Sequence, residues 1–163
     1  TLSLAEAGQL PLHPTRFLLA DLIEDLNSSF SSQAASLGIS LQTNIADRSK
    51  EITADYDRLT QVLSNLISNA IRHTPQAGKI SLETESAPSR VRIAVRDTGS
   101  GISAEDIPFI FDRFWRGDKS RTDRGNSGLG LAIAKQLIHA HHSTIEVQSK
   151  IGEGTTFTIE LPE

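Results

Sequence analysis

From Asp97 to Ser127 the chain loses the hydrophobic periodicity that runs on both sides of it. Glycines stand at 99, 101, 117 and 125, and Phe109, Phe111, Phe114 and Trp115 sit among charged residues. The pattern there predicts only a short helical turn near Ser103–Asp106. A stretch this long inside a compact domain is a functional loop, often a lid, or a disordered segment. The fold must therefore come from the patterned residues on either side.

Those residues alternate between two periods. Phe17, Leu18, Leu22, Leu26 and Phe30 recur at helical spacing and predict an amphipathic helix from about Leu18 to Leu37, stopped at Gly38. Ile39, Leu41, Thr43 and Ile45 alternate as a strand, and Glu51 to Ala54 is a candidate short strand. Asp55 or Asp57 is placed to cap the next helix. Its buried stripe is Leu59, Val62, Leu63, Leu66, Ile67, Ala70 and Ile71, and it ends before Pro75 and Gly78. Ile80–Thr84 and Val91–Val95 read as an antiparallel pair joined through Ala87-Pro88-Ser89. A third helix opens at Gly128-Leu129-Gly130 and runs through Ala140. Thr144–Val147 and Thr155–Leu161 are the last strands, with Gly152 and Gly154 in the turn between them. About three helices and five or six largely sequential strands predict an α/β two-layer sandwich, with helices on one face of a mixed sheet.

Composition narrows the function. The 163 residues are 37% hydrophobic, enough for one domain with its own core. No apolar run approaches the roughly 18 residues of a membrane-spanning helix, and no signal segment opens the chain. Zero cysteines rule out disulfides and thiolate metal sites. A net charge of −4 argues against nucleic acid as a partner. Arg113, Arg116, Lys119, Arg121 and Arg124 do cluster, but Asp112, Asp118 and Asp123 lie among them, as in a solvated loop.

Four segments carry chemistry. In Asn65–Thr74, Asn65 and Asn69 share a helix face and Arg72 lies close by. Amide oxygens are hard neutral ligands suited to Mg²⁺, and an arginine one turn on meets phosphates. Taken alone, the same residues decorate an exposed helix face. Asp97-Thr98-Gly99-Ser100-Gly101-Ile102 follows a strand. It reads as an ordinary turn, or as a buried carboxylate that accepts from an exocyclic amine beside glycines that permit close approach. Gly125–Leu131 puts glycine-rich backbone at a helix N-terminus, where free N–H groups and the helix dipole favour phosphate. It has neither the dinucleotide-binding spacing nor the lysine of a P-loop. Gly152–Phe157 closes the sheet.

In this order and spacing the four segments resemble the nucleotide-binding domain of sensor histidine kinases, in the superfamily that includes gyrase, Hsp90 and MutL. Asn65–Thr74 is similar to the family's N box, Asp97–Ile102 to its G1 box, Phe111–Phe114 to its F box and Gly125–Leu131 to its G2 box. Gly152–Thr155 is similar to its final glycine motif. The resemblance covers about Phe17 to Pro162 and implies the Bergerat-type sandwich: a five-stranded, mainly antiparallel mixed sheet with a long ATP lid. It implies ATP and Mg²⁺ as ligands. Asn69 would hold the metal with Asn65 assisting, and Arg72 would contact phosphate. His73 would lie beside adenine and Asp97 would accept its amine, with Gly99, Gly101 and Ile102 around it. Ser127, Gly128, Leu129 and Gly130 would cradle phosphates, and Thr155 would support the adenine side. Phe111 and Phe114 would anchor the lid, and Arg113 or Arg116 would steady the γ-phosphate.

The resemblance also sets expectations for the rest of the protein. Nothing here matches the family's phosphoacceptor histidine. Residues 1–9 are similar to the tail of the hairpin that carries it, so residues 1–15 are expected to be that tail plus a linker, and 16–163 the catalytic domain. The expected partners are the histidine-bearing dimerisation domain of the parent chain and a response regulator. The fragment is expected to be monomeric, cytoplasmic and free of membrane contact, in a homodimeric parent anchored at the inner membrane. Where ATP-hydrolysing clamps carry a water-activating glutamate, this chain has Asn65, which cannot act as a base. The alternatives are that clamp, a nucleotide sensor without transfer, and a serine/threonine-directed anti-sigma kinase. One departure stands out: His139-Ala140-His141-His142-Ser143 replaces the family's usual glycine-containing turn. No carboxylate or thiol is spaced to make those histidines a metal site.

Overall fold

The computed structural model describes residues 11–112 and 130–162. In chain order these form β1 (Thr15–Leu18), α1 (Leu19–Ser36), β2 (Ser40–Ile45), β3 (Glu51–Ala54), α2 (Tyr56–His73), β4 (Lys79–Ala87) and β5 (Arg90–Asp97). A 3₁₀ turn (Ile107–Phe109), α3 (Gly130–Ala140), β6 (Thr144–Lys150) and β7 (Gly154–Pro162) follow. A five-stranded sheet runs β2-β4-β5-β7-β6. β2 pairs with β4 in parallel and the other neighbours are antiparallel. The predicted mixed sandwich is the fold observed.

Period-2 alternation decides which face of the sheet is buried. Ile80, Leu82, Val91, Ile93, Val95, Phe157, Ile159 and Leu161 point inward. Against them lie Leu22, Ile23 and Leu26 of α1, Leu59, Val62, Leu63, Leu66 and Ile67 of α2, and Ala134, Leu137 and Ile138 of α3. Each large side chain so buried contributes roughly 1.5–3 kcal/mol before the entropy of ordering it. The opposite face carries charges in cross-strand pairs. Glu160 on β7 takes both Arg90 and Arg92 of β5, and Glu83 on β4 meets Arg96. These arginines hold the Glu160 carboxyl below its ordinary pKa. A shallow concavity of about 320 Å³ on this face is lined by Glu83, Arg92, Arg96, Glu146, Thr158 and Glu160 among others, and holds none of the site candidates.

One boundary differs from the sequence expectation. Phe17 and Leu18 fit the helical period, yet they belong to β1, which pairs antiparallel with β3 and sets Phe17 opposite Ile52. The helix starts at Leu19 and keeps its stripe without them. An available strand edge at 51–54 outweighs a periodicity that two residues alone support. The Phe17 ring packs edge-on to Tyr56, with centroids 4.9 Å apart. Burial and the neighbouring Asp25, to which its hydroxyl donates, push Tyr56 up to about 12. α1 ends where Gly38, at φ 71°, donates back to the Ala35 carbonyl.

Asp55 is a three-way junction. Its Oδ1 caps α2 by accepting from Arg58 N at 3.1 Å, and its Oδ2 accepts from His13 N at 2.9 Å. Burial raises its carboxyl, but these two amides, with His141 and Arg58 nearby, bring the net shift below the ordinary value. Its own N–H donates to His141 Nε2 at 3.1 Å, while His141 Nδ1 lies 2.9 Å from the Leu137 carbonyl. His141 therefore joins the end of α3 to the start of α2. Beside it, His142 takes the left-handed backbone, φ 55°, that a glycine would take more cheaply. It is exposed. His142→Gly is expected to stabilise the domain by about 1 kcal/mol, offset in part by glycine's freer unfolded chain. Thermal denaturation of the two proteins checks this, and a lower melting temperature for the variant would refute it.

Candidate functional site

Strand register builds the deepest part of the site. Asp97, the last residue of β5, sits directly opposite Thr155 near the start of β7. Both side chains face inward and are buried, at 4% and 5% exposure. Opposed residues on one face have Cβ atoms about 5 Å apart. Gly99 N donates to Asp97 Oδ1 at 2.8 Å, and the Thr155 amide also bonds to the carboxylate. Burial pushes the Asp97 carboxyl above its usual range, and the two amides pull it part of the way back. A buried carboxylate held, among the described residues, by neutral amides is poised to accept from an incoming donor.

The glycines around it answer first to the protein's own backbone. A Cβ on Gly99 would lie 2.2 Å from the His73 carbonyl oxygen, and one on Gly154 would lie 2.0 Å from that of Asp97. Gly101, at φ 78°, faces the Lys150 carbonyl in the same way. Ser100 N donates to His73 O at 3.1 Å, and Gly152 N donates to Ser100 O at 3.0 Å. The 97–102 loop is thus stitched on one side to the end of α2 and on the other to the β6–β7 turn. Ile102 N completes this by donating to Ser149 Oγ at 2.7 Å.

The second part of the site lies along α2. Asn69 is buried, with 7% exposure, and its Oδ1 accepts from Arg72 Nη2 at 3.5 Å. Asn65 Nδ2 donates to the Gly130 carbonyl at 3.1 Å, tying the first residue of α3 to α2. That tie directs the positive end of the α3 dipole toward the asparagines. Phe111 packs edge-on to Phe157 at 6.1 Å and lies under Lys135 Nζ, so its ring is anchored to the core. The structure therefore gathers Asp97, Gly99, Gly101, Ile102, Thr155 and His73 into one linked group, and Asn65, Asn69, Arg72 and Gly130 into another on the same helix. Arg113, Phe114, Ser127, Gly128 and Leu129 lie outside the described residues. Among the described residues no group of histidines and carboxylates is arranged to hold a metal.

Ser149 was not among the sequence candidates. Its hydroxyl lies 2.7 Å from Thr155 Oγ1 and 3.0 Å from the Gly154 carbonyl. The signal available in sequence was its parity: Ile145, Val147 and Ser149 alternate inward on β6, which puts a hydroxyl where the pattern calls for an apolar residue.

Comparison with known proteins shows what kind of domain this is. The profile of the histidine kinase-, DNA gyrase B- and HSP90-like ATPase family matches residues 54–163. The chain belongs to that family. It is 43% identical over 122 residues to the sensor histidine kinase WalK of Bacillus subtilis (strain 168), covering 73% of this chain and 20% of WalK. The catalytic domain of the histidine kinase ThkA superposes with a TM-score of 0.83 at 30% identity, over 93% of this chain and 96% of that one. Full-length ShkA in complex with AMPPNP gives 0.88 at 28% identity, over 99% of this chain and 33% of that one. ThkA in complex with the response regulator protein TrrA also matches, at 0.78 and 29%, over 91% of this chain and 41% of that one. The domain is of the catalytic type found in sensor histidine kinases, and it spans about a fifth of WalK's length.

Proposed function

We propose that this domain binds ATP between Asp97 and the α2 asparagines and presents its γ-phosphoryl to a histidine on the dimerisation domain of the parent chain, for relay to a response regulator. The observation that carries this reading is the buried Asp97 carboxylate opposite Thr155, an acceptor held among the described residues by neutral amides. The AMPPNP bound to ShkA and the regulator bound to ThkA support it by relationship.

The chain's own groups take these roles. Asp97 accepts from the adenine amine, and Thr155, Gly99, Gly101 and Ile102 form the surrounding wall, with His73 at its edge. The start of α3 offers backbone N–H groups to phosphate oxygens, Gly130 being the described end of that segment. By the family resemblance Ser127, Gly128 and Leu129 would extend this cradle, and Phe111 with Phe114 would anchor the lid. The buried Asn69 amide is a hard neutral ligand suited to Mg²⁺, with Asn65 and Arg72 beside it. That ion would neutralise charge on the phosphate oxygens. Arg113 steadies the γ-phosphate. Transfer breaks the bond between the γ-phosphorus and the bridging oxygen of ADP and forms one to an imidazole nitrogen. This domain contributes orientation and exclusion of water.

Asn65 cannot take a proton from water, and its amide donates to Gly130 O. Both facts disfavour the hydrolytic clamp. Residues 1–15 would be the hairpin tail and linker, and 16–163 a monomeric cytoplasmic catalytic domain of a homodimeric, inner-membrane-anchored parent. The test is to mix the chain with γ-labelled ATP and Mg²⁺, alone and with the separately produced dimerisation domain of its parent. Label is expected on the added domain and none on this chain. Label on the chain alone would refute the missing acceptor. ATP binding without transfer would favour the nucleotide sensor.

A further inference from the structure

Helices α2 and α3 run antiparallel and are tied to each other at both ends. At the site end, Asn65 Nδ2 donates to the Gly130 carbonyl at 3.1 Å. At the far end, the Asp55 N–H at the head of α2 donates to His141 Nε2 at 3.1 Å. At 1.5 Å per residue, roughly 15 Å of each helix lies between its ties. Along that length the contact is apolar, with Leu59, Leu63 and Leu66 of α2 in one core with Ala134, Leu137 and Ile138 of α3. Apolar burial is non-directional and hydrogen bonds are not, so the ties set how far α3 is slid and turned along α2.

His141 is built as the rear tie. A ring whose Nε2 accepts from Asp55 N carries its proton on Nδ1, and Nδ1 donates to the Leu137 carbonyl 2.9 Å away. Both nitrogens are used, so the ring cannot turn without breaking two bonds. Its backbone is held as well: His141 N donates to the Ile138 carbonyl at 3.0 Å, and the Ser143 hydroxyl donates to His141 O at 3.0 Å. On the other side Asp55 is buried, and its Oδ1 caps α2 through Arg58 N. The bond between them joins two anchored points.

We propose that His141 is a positioning residue for the phosphate end of the nucleotide. Through Asp55 N it fixes the slide and turn of α3 on α2, and so where the first-turn N–H groups of α3 stand relative to Asn65 and Asn69. This rests on the ATP-binding reading above. The N–H groups of a helix's first turn have no partner inside the helix, and their value to an anion depends on where they point. The base end stands outside this frame. Asp97 and Thr155 lie on β5 and β7, and the 97–102 loop is stitched to the end of α2 and to the β6–β7 turn. A loosened α3 should therefore cost affinity for the phosphates and spare the nucleoside.

The test compares AMPPNP, by calorimetry, with adenosine, by NMR titration, on wild type, His141→Asn and His141→Gln. Thermal unfolding of each protein is recorded alongside. Asparagine places an amide N–H where Nδ1 stands, so it keeps the bond to Leu137 O but cannot reach Asp55 N. Glutamine reaches Asp55 N with its amide oxygen. His141→Asn is expected to weaken AMPPNP roughly tenfold, a coupling of ordinary size between distant groups, and to leave adenosine unchanged. His141→Gln should recover most of the AMPPNP affinity. Should His141→Asn fail to fold, His141→Met, as long as glutamine but without its amide, makes the same comparison. Equal losses for both ligands, no loss, or no difference between the glutamine variant and the other would overturn the proposal and leave His141 a brace for the fold. A wild type that binds neither ligand would instead remove the ATP reading, and this proposal with it.

Discussion

Asp97→Asn should cost the domain its ATP affinity while leaving the fold standing. A hydrogen bond to a charged partner contributes about 1.5–3 kcal/mol, so binding should weaken by roughly ten- to a hundredfold. The loss should be greater still because the amide group of asparagine can turn a donor toward the adenine amine. The pH dependence separates the two roles of the residue. Burial raises the folded pKa of Asp97 above its unfolded value. The carboxyl's contribution to stability is therefore fully present below the unfolded pKa, about 4, and is lost as pH rises through the raised folded value. Asparagine does not titrate. The melting temperature of the variant relative to wild type should therefore climb across that window and then level off. ATP affinity in the wild type should move the other way. It needs the ionised carboxylate, so acidification should weaken it starting above the ordinary aspartate range. Calorimetry with a non-hydrolysable analogue and thermal scans at several pH values read both trends. Unchanged affinity in Asp97→Asn would remove Asp97 from the pocket.

The same balance explains what was legible in the sequence. Elements whose period was long and backed by an end signal were read closely. A cap at Asp55 or Asp57, which the structure resolves to Asp55, and the Pro75 stop bracketed α2, and the alternation of 80–84 and 91–95 gave the antiparallel pair that ends at Asp97. The pairing of Asn65 and Asn69 followed from the helix face they share, and the roles of the other site candidates came from the family resemblance. What escaped depended on contacts between distant segments. Phe17 looked helical because its partner strand at 51–54 is far away in sequence. His141 gave no sign that its ring would accept from Asp55 N, 86 positions back. Ser149 was hidden because a hydroxyl on an inward strand position reads as a weak apolar residue until Thr155 and Ile102 are seen against it.

The glycines of the site divide by what an added carbon would meet, and Gly99→Ala should be a strongly damaging single-carbon change. Its Cβ would sit 2.2 Å from the His73 carbonyl oxygen, 2.8 Å from the carbonyl carbon and 3.0 Å from Asp97 Oδ1. The first two are backbone atoms at the end of α2, which cannot swing aside as a side-chain tip can. Relief requires the 97–102 loop to part from α2. That breaks the Ser100 N to His73 O bond and moves Gly99 N away from the Asp97 carboxylate. Overpacking of about 1–3 kcal/mol, plus about 1 kcal/mol for each of the two lost hydrogen bonds, puts the cost at about 3–5 kcal/mol. For a domain of this size the melting temperature should fall by about 10 °C. Gly130→Ala is the contrast. The nearest atom to its Cβ would be Asn65 Cγ at 3.8 Å, an ordinary contact, and alanine suits a helix better than glycine. Its stability should hold or rise slightly, so any loss of nucleotide affinity there would report on the ligand's own need for space. If Gly99→Ala instead melts like wild type and loses only ATP, the clash with His73 does not govern that position, and its glycine serves the nucleotide directly.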